Sequence, residues 1–267
     1  MRRTSRVALA RDVLCVDVGN SKLLAVLYRD GIEQARWRID GRDRRAVGRA
    51  WQAVLGALGA EAPRIAAVIS SVAPRRTAPL ATALRRRGFR VHVAGWTDPW
   101  PFRIRLTSPQ TVGTDRLANL AGLRALGFAT GVAVDVGTAI TIDVLSRRGF
   151  EGGLIAPGPG VALAALHAAT EKLPRLGAPV VVPAFGRDTR SAVRAGVARV
   201  LGLGSAAAAA SGCRLLGRGA RVVLTGGAAP VLRPHFPDET LEEPDLGLLG
   251  LRLLAARLSR PGPAPRL

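Results

Sequence analysis

The chain is poor in cysteine and in aromatic residues. Its 267 residues include two cysteines, one tyrosine and four tryptophans, and aromatic side chains make up 4% of the total. Cys15 and Cys213 are too few and too far apart for a metal cluster or a disulfide framework, which favours a reducing, cytoplasmic compartment. The scarcity of aromatics argues against a single-stranded nucleic-acid surface, because such surfaces stack bases on aromatic rings.

Long apolar runs are also missing. No stretch approaches eighteen uninterrupted apolar residues, so the sequence predicts no membrane-spanning segment. The small apolar stretch 200–212 is predicted to be a packed helix. Near the N-terminus, the apolar run 7–10 follows three arginines and is too short for a signal peptide.

Lysine is scarce although the chain is strongly basic. Its formal net charge is +20, and Lys22 and Lys172 are the only lysines among 39 basic residues. The arginine clusters are scattered along the chain, whereas a nucleic-acid interface concentrates them with stacking aromatics. We interpret the excess of arginine as solvated surface residues that have accumulated by compositional drift. A nucleic-acid surface is the alternative. In either case the field attracts anionic substrates.

Two short segments, 118 positions apart, are nearly the same. Residues 16–21 read Val-Asp-Val-Gly-Asn-Ser and residues 134–139 read Val-Asp-Val-Gly-Thr-Ala, each between apolar runs. This pattern predicts a β-hairpin whose glycine permits a tight turn. Backbone N–H groups at such a turn can contact phosphate oxygens, and the aspartate can hold a cation or a water molecule. The repetition indicates a duplicated fold that binds a nucleotide.

The predicted elements support duplication over most of the chain. Each half reads as three meandering strands followed by a helix, which is typical of a mixed α/β architecture. The first of these helices is predicted over residues 44–58. We expect an N-terminal domain at 12–124, a C-terminal domain at 125–258 and a flexible, proline-rich tail at 259–267.

Asp17 and Asp135 are the candidate phosphate- or cation-binding residues. Each ends a predicted buried strand at a glycine, and Asp beside Gly is often only a turn former. Two copies in matching context favour the functional interpretation instead. Charged carboxylates at strand ends need a compensating cation, which Mg²⁺ on a nucleotide supplies.

Asp115 is the candidate proton acceptor. The sequence Gly113-Thr114-Asp115-Arg116 follows a proline-rich loop and begins a predicted helix. A first-turn carboxylate that favours the helix dipole is the simpler interpretation. An aspartate beside a substrate hydroxyl can, however, accept its proton during phosphoryl transfer. Arg116 offers a planar fork that suits a carboxylate or a phosphate.

Several further segments are weaker candidates. The glycine-rich segments at 152–160 and 225–227 are as compatible with tight turns as with a nucleotide site, and no P-loop signature is present. Asp188 and Thr189 are typical helix caps. The three histidines are isolated from one another, so a metal-binding role is not predicted.

The motifs, taken in order, resemble those of type III pantothenate kinases. The resemblance extends from about residue 13 to 255. It rests on these segments: 17–21, 112–119, 135–141, 151–158, 172–174, 186–189 and 224–227.

This resemblance implies a duplicated ribonuclease H-like α/β fold, that of acetate kinase, sugar kinases, Hsp70 and actin. It implies ATP-dependent phosphorylation of pantothenate to 4'-phosphopantothenate, the first step of coenzyme A biosynthesis, with Mg²⁺, a monovalent cation (K⁺ or NH₄⁺) and a homodimer. The implied ATP-binding residues are Asp17, Val18, Gly19, Asn20, Ser21, Lys22, Leu23, Leu24 and Thr138. Gly113, Thr114, Asp115, Arg116 and Thr189 would bind pantothenate, with Asp115 as proton acceptor and Asp135 as the ligand of the monovalent cation.

The chain departs from the family pattern at three places. Ser21 stands where Thr is commoner, and Ile140 stands where Thr is usual. The loop 102–109 lacks the usual aromatic residue and asparagine, which leaves another small hydroxy acid open as the acceptor. Two functions outside small-molecule phosphorylation also stay open. One is nucleic-acid binding. In the other, the chain is a regulatory or binding protein of the same fold, since the family was associated with Bvg accessory factors in transcription.

Overall fold

The structure is a computed structural model that describes residues 7–40, 65–177 and 183–259, together with residues 52, 54 and 56. The predicted helix 44–58 therefore lies largely outside the described residues, although residues 52, 54 and 56 are helical. The proline-rich tail beyond residue 259 also lies outside them.

The first half of the chain forms a five-stranded mixed sheet. Its strands are β1 (Val13–Val18), β2 (Lys22–Arg29), β3 (Ile32–Asp40), β4 (Ala66–Ser71) and β5 (Arg90–Val93). They lie in the order β3-β2-β1-β4-β5, in which β1, β2 and β3 pair antiparallel and β1, β4 and β5 pair parallel. The central β1 is buried along nearly its whole length, as its continuous apolar sequence predicts.

The second half repeats this topology. Its strands are β6 (Gly131–Val136), β7 (Ala139–Leu145), β8 (Phe150–Pro157), β9 (Arg221–Thr225) and β10 (Leu241–Glu242). The order β8-β7-β6-β9-β10 and the strand directions match those of the first sheet one for one. The predicted duplicated α/β fold is confirmed.

Six helices of the described residues accompany the sheets. They are α1 (Pro74–Arg86), α2 (Thr114–Ala125), α3 (Pro159–Ala168), α4 (Thr189–Leu216), α5 (Ala229–Leu232) and α6 (Leu246–Leu258). Short 3₁₀ turns occur at Pro109–Thr111 and Arg233–His235. The sequence predicts helix α1 over residues 78–87, and the helix begins four residues earlier. Pro74 occupies its first turn, where the missing proline N–H is not needed. Strand β10 and helix α5 were not predicted, since two and four residues carry no periodic signal.

Packing divides the chain into two compact units, residues 1–127 with 246–267, and residues 128–245. The break after Gly127 lies close to the expected boundary at 124/125. The final helix α6 belongs to the first unit, whereas the sequence-based domains assign it to the second. Within the first unit α6 packs closely on α2 and also contacts β1 and β4.

Glycines permit the close approach of α2 and α6. A methyl group at Gly250 would overlap the carbonyl of Ala118, and one at Gly122 would overlap the carbonyl of Leu246. The helix backbones therefore touch where neither residue carries a side chain. Asp115 lies in the first turn of α2, so the packing of α2 on α6 bears on the position of the candidate proton acceptor.

Replacement of Gly250 by alanine should separate the two helices. We expect Gly250→Ala to lower the free energy of unfolding by about 1–3 kcal/mol, as overpacking does, and to reduce turnover. Gly196→Ala in α4 is the control, because nothing lies within 4 Å of its Cβ position and alanine gains about 0.5–1 kcal/mol over glycine in a helix. Chemical denaturation measures the free energy of unfolding of both variants. Equal stability of the two variants would contradict this packing.

Helix α4 is, by length and composition, the one helix among the described residues that could cross a membrane. Core helices of soluble proteins pass the same test, so the observation is weak evidence. Within the second unit α4 contacts β6, β7 and β9, and its small residues Ala198, Gly202 and Ala209 are buried. The predicted packed helix at 200–212 therefore packs on the second sheet.

Candidate active site

The first predicted phosphate-binding turn joins β1 to β2. Asp17 is half-buried at the last-but-one position of β1, in register with Leu24 on β2 and Ser70 on β4. The turn is closed by the Gly19 N–H, which donates to the Lys22 carbonyl at 3.0 Å. The carboxylate thus stands at the carboxyl end of the central strand, beside a tight turn of exposed backbone.

The predicted ATP-binding residues of this hairpin fall into two groups. Val18 and Leu23 are buried in the core of the first unit, so only their backbone is available to a ligand. Asn20 and Lys22 are exposed, and Ser21 is half-buried. A ligand at this turn would therefore meet backbone groups together with the Asn20, Ser21 and Lys22 side chains.

A hydrogen-bonded junction joins the candidate proton acceptor to the same edge of the first sheet. The Ser71 N–H donates to Thr114 Oγ1 at 2.9 Å, and the Ser70 hydroxyl lies 3.1 Å from the same oxygen. Both Ser70 and Thr114 are buried. Since Ser70 is in register with Asp17, the structure brings Asp17 and Asp115 to one end of this sheet.

Ser70 and Ser71 had no assigned role in the sequence analysis. Their signal was present in the sequence, because two hydroxyl residues end an otherwise apolar strand. Such residues need a partner when they are buried. The partner, Thr114, lies more than forty positions away, and only the fold identifies it.

Asp115 occupies the first turn of α2. Its Oδ1 accepts from the Arg116 N–H at 2.8 Å, in the position where a helix dipole favours negative charge. Burial nevertheless raises the pKa of Asp115 above its ordinary value, against the opposing effects of the Arg116 N–H and guanidinium. A carboxylate that binds its proton more tightly than usual is suited to general-base work.

Gly113 gives the Asp115 carboxylate its space. A Cβ atom at Gly113 would overlap Asp115 Oδ1 and would lie 3.2 Å from the Val72 side chain. The glycine forms the extended residue that precedes the helix. Within the motif Gly113–Arg116, the glycine leaves space for the carboxylate and the threonine bonds to the end of β4. The aspartate lies in the first turn of α2.

The proline-rich loop that precedes this motif is ordered at its start by Asp98. Asp98 Oδ2 accepts from the Gly95 N–H at 2.8 Å and lies 2.7 Å from His92 Nε2. The Trp100 indole N–H donates to the Gly95 carbonyl at 2.8 Å, and its ring stacks with Phe102. The loop 102–109, whose sequence diverges from the family, thus follows a segment that these hydrogen bonds hold in place.

The second turn, between β6 and β7, has matching features. Asp135 is half-buried one position before the end of β6, in register with Thr141 and Thr225. The Gly137 N–H closes the turn by donating to the Ala139 carbonyl at 2.9 Å. Exposed Thr138 accepts through its carbonyl from the Gly158 N–H at 2.9 Å, at the start of α3.

Gly226 lies against Asp135 and explains one of the glycine motifs. It has a φ of +96°, and a Cβ atom there would overlap Asp135 Oδ1. The same atom would lie 2.5 Å from the carbonyl oxygen of Val136. The Thr225-Gly226-Gly227 segment, for which a simple turn was equally plausible, therefore packs directly on the second candidate aspartate.

Thr189 lies elsewhere in the second unit, exposed at the first position of α4. Asp188 precedes it and forms a capping box with Ser191, whose N–H donates to Asp188 Oδ1 at 3.0 Å. The Ser191 hydroxyl and this bond lower the pKa of Asp188. The cap interpretation of Asp188 is confirmed.

The donor atoms of both turns suit hard cations. Among the described residues no group of three or more His, Cys, Asp or Glu side chains gathers into a metal site. Mg²⁺ needs no such group, because it binds through one or two carboxylates together with substrate phosphates and water. Asp17 fits that mode, and Asp135, beside two in-register threonines, offers an all-oxygen environment.

Comparison with known structures supports the fold. The chain is similar to a protein from Campylobacter jejuni described as a Baf family transcriptional activator, with a TM-score of 0.61 and 20% identity over 92% of this chain and 98% of that one. It is also similar to a 2-dehydro-3-deoxygalactonokinase protein from Sinorhizobium meliloti, with a TM-score of 0.55 and 15% identity over 92% and 99% of the two chains. At these identities the likeness shows the fold.

Sequence comparison identifies the family. The family model described as type III pantothenate kinase matches residues 13–204. A type III pantothenate kinase from Rhizorhabdus wittichii is 33% identical over 260 residues, which cover 92% of this chain and 98% of the relative. The chain therefore belongs to the type III pantothenate kinase family.

Proposed function

We propose that this protein transfers the γ-phosphoryl group of ATP to the primary hydroxyl of pantothenate. The observation that carries the proposal is the junction that holds the Asp115 segment at the same sheet edge as the Asp17 turn. In the reaction, the hydroxyl oxygen attacks the γ-phosphorus and the bond between that phosphorus and the bridging oxygen breaks. The hydroxyl proton passes to the Asp115 carboxylate, and ADP leaves.

Asp115 is suited to accept this proton for two reasons. Burial raises its pKa, so it holds the proton better than an exposed carboxylate does. The Arg116 N–H binds the carboxylate and keeps it oriented. Within the same motif, Gly113, Thr114 and Arg116 would contact pantothenate, whose carboxylate suits the Arg116 guanidinium. Thr189 is the further proposed pantothenate contact.

Each of the two turns offers backbone N–H groups to nucleotide phosphates. We assign ATP binding to residues 17–24 at the first turn and to Thr138 at the second, because backbone N–H groups at such turns bind phosphate oxygens. Asp17 would hold Mg²⁺, which neutralises phosphate charge when it is bound with the nucleotide. Asp135 would hold a monovalent cation, K⁺ or NH₄⁺, through oxygen ligands. The protein's own contribution is to position the reactants.

A coupled assay of ADP release tests this function. We expect release to require both pantothenate and Mg²⁺, and to fall when K⁺ is replaced by Na⁺. ADP release that does not depend on pantothenate would favour the regulatory function instead. So would a lack of ADP release while ATP still binds. ADP release with another small hydroxy acid, and none with pantothenate, would identify that acid as the acceptor.

We further propose that the protein is a homodimer. The proposed dimer face of the second unit consists of exposed apolar side chains on α4 and β8, and both elements contact α3. Val200 and Leu203 on α4 are 71% and 52% exposed, and Ile155 on β8 is 67% exposed. Exposed apolar side chains on such a face are typical of interaction sites, and a second copy of the chain offers the same face in return.

A charge within this face should prevent dimerisation. We expect the wild type to sediment as a dimer and Leu203→Glu to sediment as a monomer. Leu215→Glu is the control, because Leu215 is more exposed but lies twelve residues further along the same helix, about 18 Å away. A monomeric wild type, or a Leu203→Glu variant that remains dimeric, would exclude this interface.

We assign the activity to the cytoplasm. Cys15 and Cys213 are both free, as expected where thiols stay reduced. Burial raises the pKa of the Cys15 thiol to about 12, which makes this core residue unreactive.

A further inference from the structure

Arg76 contacts the backbone of the first phosphate-binding turn. Its Nη1 donates to the Asn20 carbonyl at 2.7 Å and to the Gly19 carbonyl at 3.3 Å. Arg76 lies in the first turn of α1, and the preceding segment is tied to β1, because the Val72 N–H donates to the Val18 carbonyl at 3.2 Å. One guanidinium therefore grips two successive carbonyls of a turn that begins two residues after Asp17.

This contact fixes the direction of the N–H groups as well. In a trans peptide the carbonyl and the following N–H point in opposite directions. When Arg76 holds the Gly19 and Asn20 carbonyls on one side, the N–H groups of Asn20 and Ser21 point to the other side. Two successive N–H groups that face the same way form a concave anion site, which is what a phosphate requires.

We propose that Arg76 is a positioning residue for the nucleotide, acting through the Gly19–Asn20 turn. This inference rests on the proposed function, in which that turn binds ATP phosphates. Arg76 holds the turn in its phosphate-binding shape before ATP arrives and so reduces the conformational entropy lost on binding. Its effect should be specific to ATP, although pantothenate is an anion too.

Substitution of the neighbouring Arg75 distinguishes positioning of the turn from a general effect of positive charge. Arg75 is exposed on the same turn of α1 and carries the same charge. If the positive field alone attracted ATP, neutralising either arginine would weaken binding to a similar extent. If the carbonyl contacts matter, only the Arg76 substitution has the effect.

The test compares Arg76→Gln, Arg75→Gln and Arg76→Lys. We measure calorimetric binding of Mg-ATP without pantothenate, and the KM values for ATP and pantothenate. We expect Arg76→Gln to weaken ATP binding and raise the KM for ATP at least about tenfold, as loss of charge-assisted hydrogen bonds does. The KM for pantothenate and the melting temperature should not change. Arg75→Gln should behave as wild type, and Arg76→Lys should recover most of the affinity.

Several outcomes would overturn the proposal. Equal losses in Arg75→Gln and Arg76→Gln would show a field effect, and no loss in Arg76→Gln would show that the turn holds its shape unaided. A parallel rise in both KM values would show general damage to the unit. If the wild type shows no pantothenate-dependent turnover, the proposed function fails, but the Mg-ATP binding comparison still decides the role of Arg76.

Discussion

Asp115→Asn should reduce turnover by about 10²–10⁴-fold, the usual contribution of a general base. Asparagine keeps the shape of the side chain but cannot accept the hydroxyl proton. The KM for ATP should change little, because the proposed role of the carboxylate is toward the acceptor and not the nucleotide. Steady-state kinetics with both substrates varied measure this. Asp238→Asn, the same change at an exposed position of the second unit, is the control.

The pH dependence of the wild type should report the same group. Because burial raises the pKa of Asp115 above its ordinary value of 3.8, the acid limb of kcat/KM should lie at a higher pH than for an ordinary carboxyl group. Activity is lost as the pH falls through this raised pKa, since the base is then protonated. An acid limb at or below the ordinary value would contradict the assignment.

The same substitution should not destabilise the protein. The folded-state pKa of Asp115 is raised, so folding disfavours its charged form at neutral pH. This penalty begins to shrink as the pH falls through the raised pKa, and it is gone below the ordinary pKa. Asparagine removes the penalty at neutral pH. We therefore expect the melting temperature of Asp115→Asn to equal or exceed that of the wild type. A large decrease would mean that the lost turnover reflects unfolding.

Gly226→Ala should damage both the stability and the activity of the second unit. Alanine at a φ of +96° is strained by about 1–2 kcal/mol. The overlap with Asp135 Oδ1 and the Val136 backbone adds a further cost of about 1–3 kcal/mol. Relief of that overlap moves the Asp135 carboxylate or the β6 turn, so we expect turnover to fall with stability. Denaturation and steady-state assays of the folded fraction measure the two effects.

Gly219→Ala is the matched control. Gly219 has a φ of +90°, but nothing lies within 4 Å of its Cβ position. Its alanine variant therefore suffers the backbone strain alone and should lose about 1–2 kcal/mol with normal turnover. If Gly226→Ala and Gly219→Ala lose the same stability and both stay active, the contact between Gly226 and Asp135 has no functional role.

Local patterns were sufficient to predict the hairpins and the start of α2. Val13–Val18 and Gly131–Val136 are continuous apolar strands that end in Asp-Val before a glycine, and this repeat reveals the duplication from sequence alone. Gly113 and Asp115 mark a helix start by residue type. These signals are local, because strand propensity, turn glycines and first-turn carboxylates act within a few residues.

Contacts between distant segments could not be predicted in this way. The sequence does not indicate that Thr114 bonds to Ser70 and Ser71, that Gly226 packs on Asp135, or that Arg76 grips the Asn20 carbonyl. Each contact depends on which strands become neighbours in the sheet, as β1 and β4 do although they are far apart in the chain. The same holds for α6, whose partner α2 lies in the other half of the sequence.

Mass spectrometry of pantothenate after incubation with ATP, Mg²⁺ and K⁺ is the most direct test of the central assignment. We expect the wild type to add one phosphoryl group to the primary alcohol and to release one ADP for each product. Under the same conditions Asp115→Asn, folded and able to bind ATP, should form product at least about a hundredfold more slowly. Unmodified pantothenate with the wild type, or equal product from both proteins, would contradict the account.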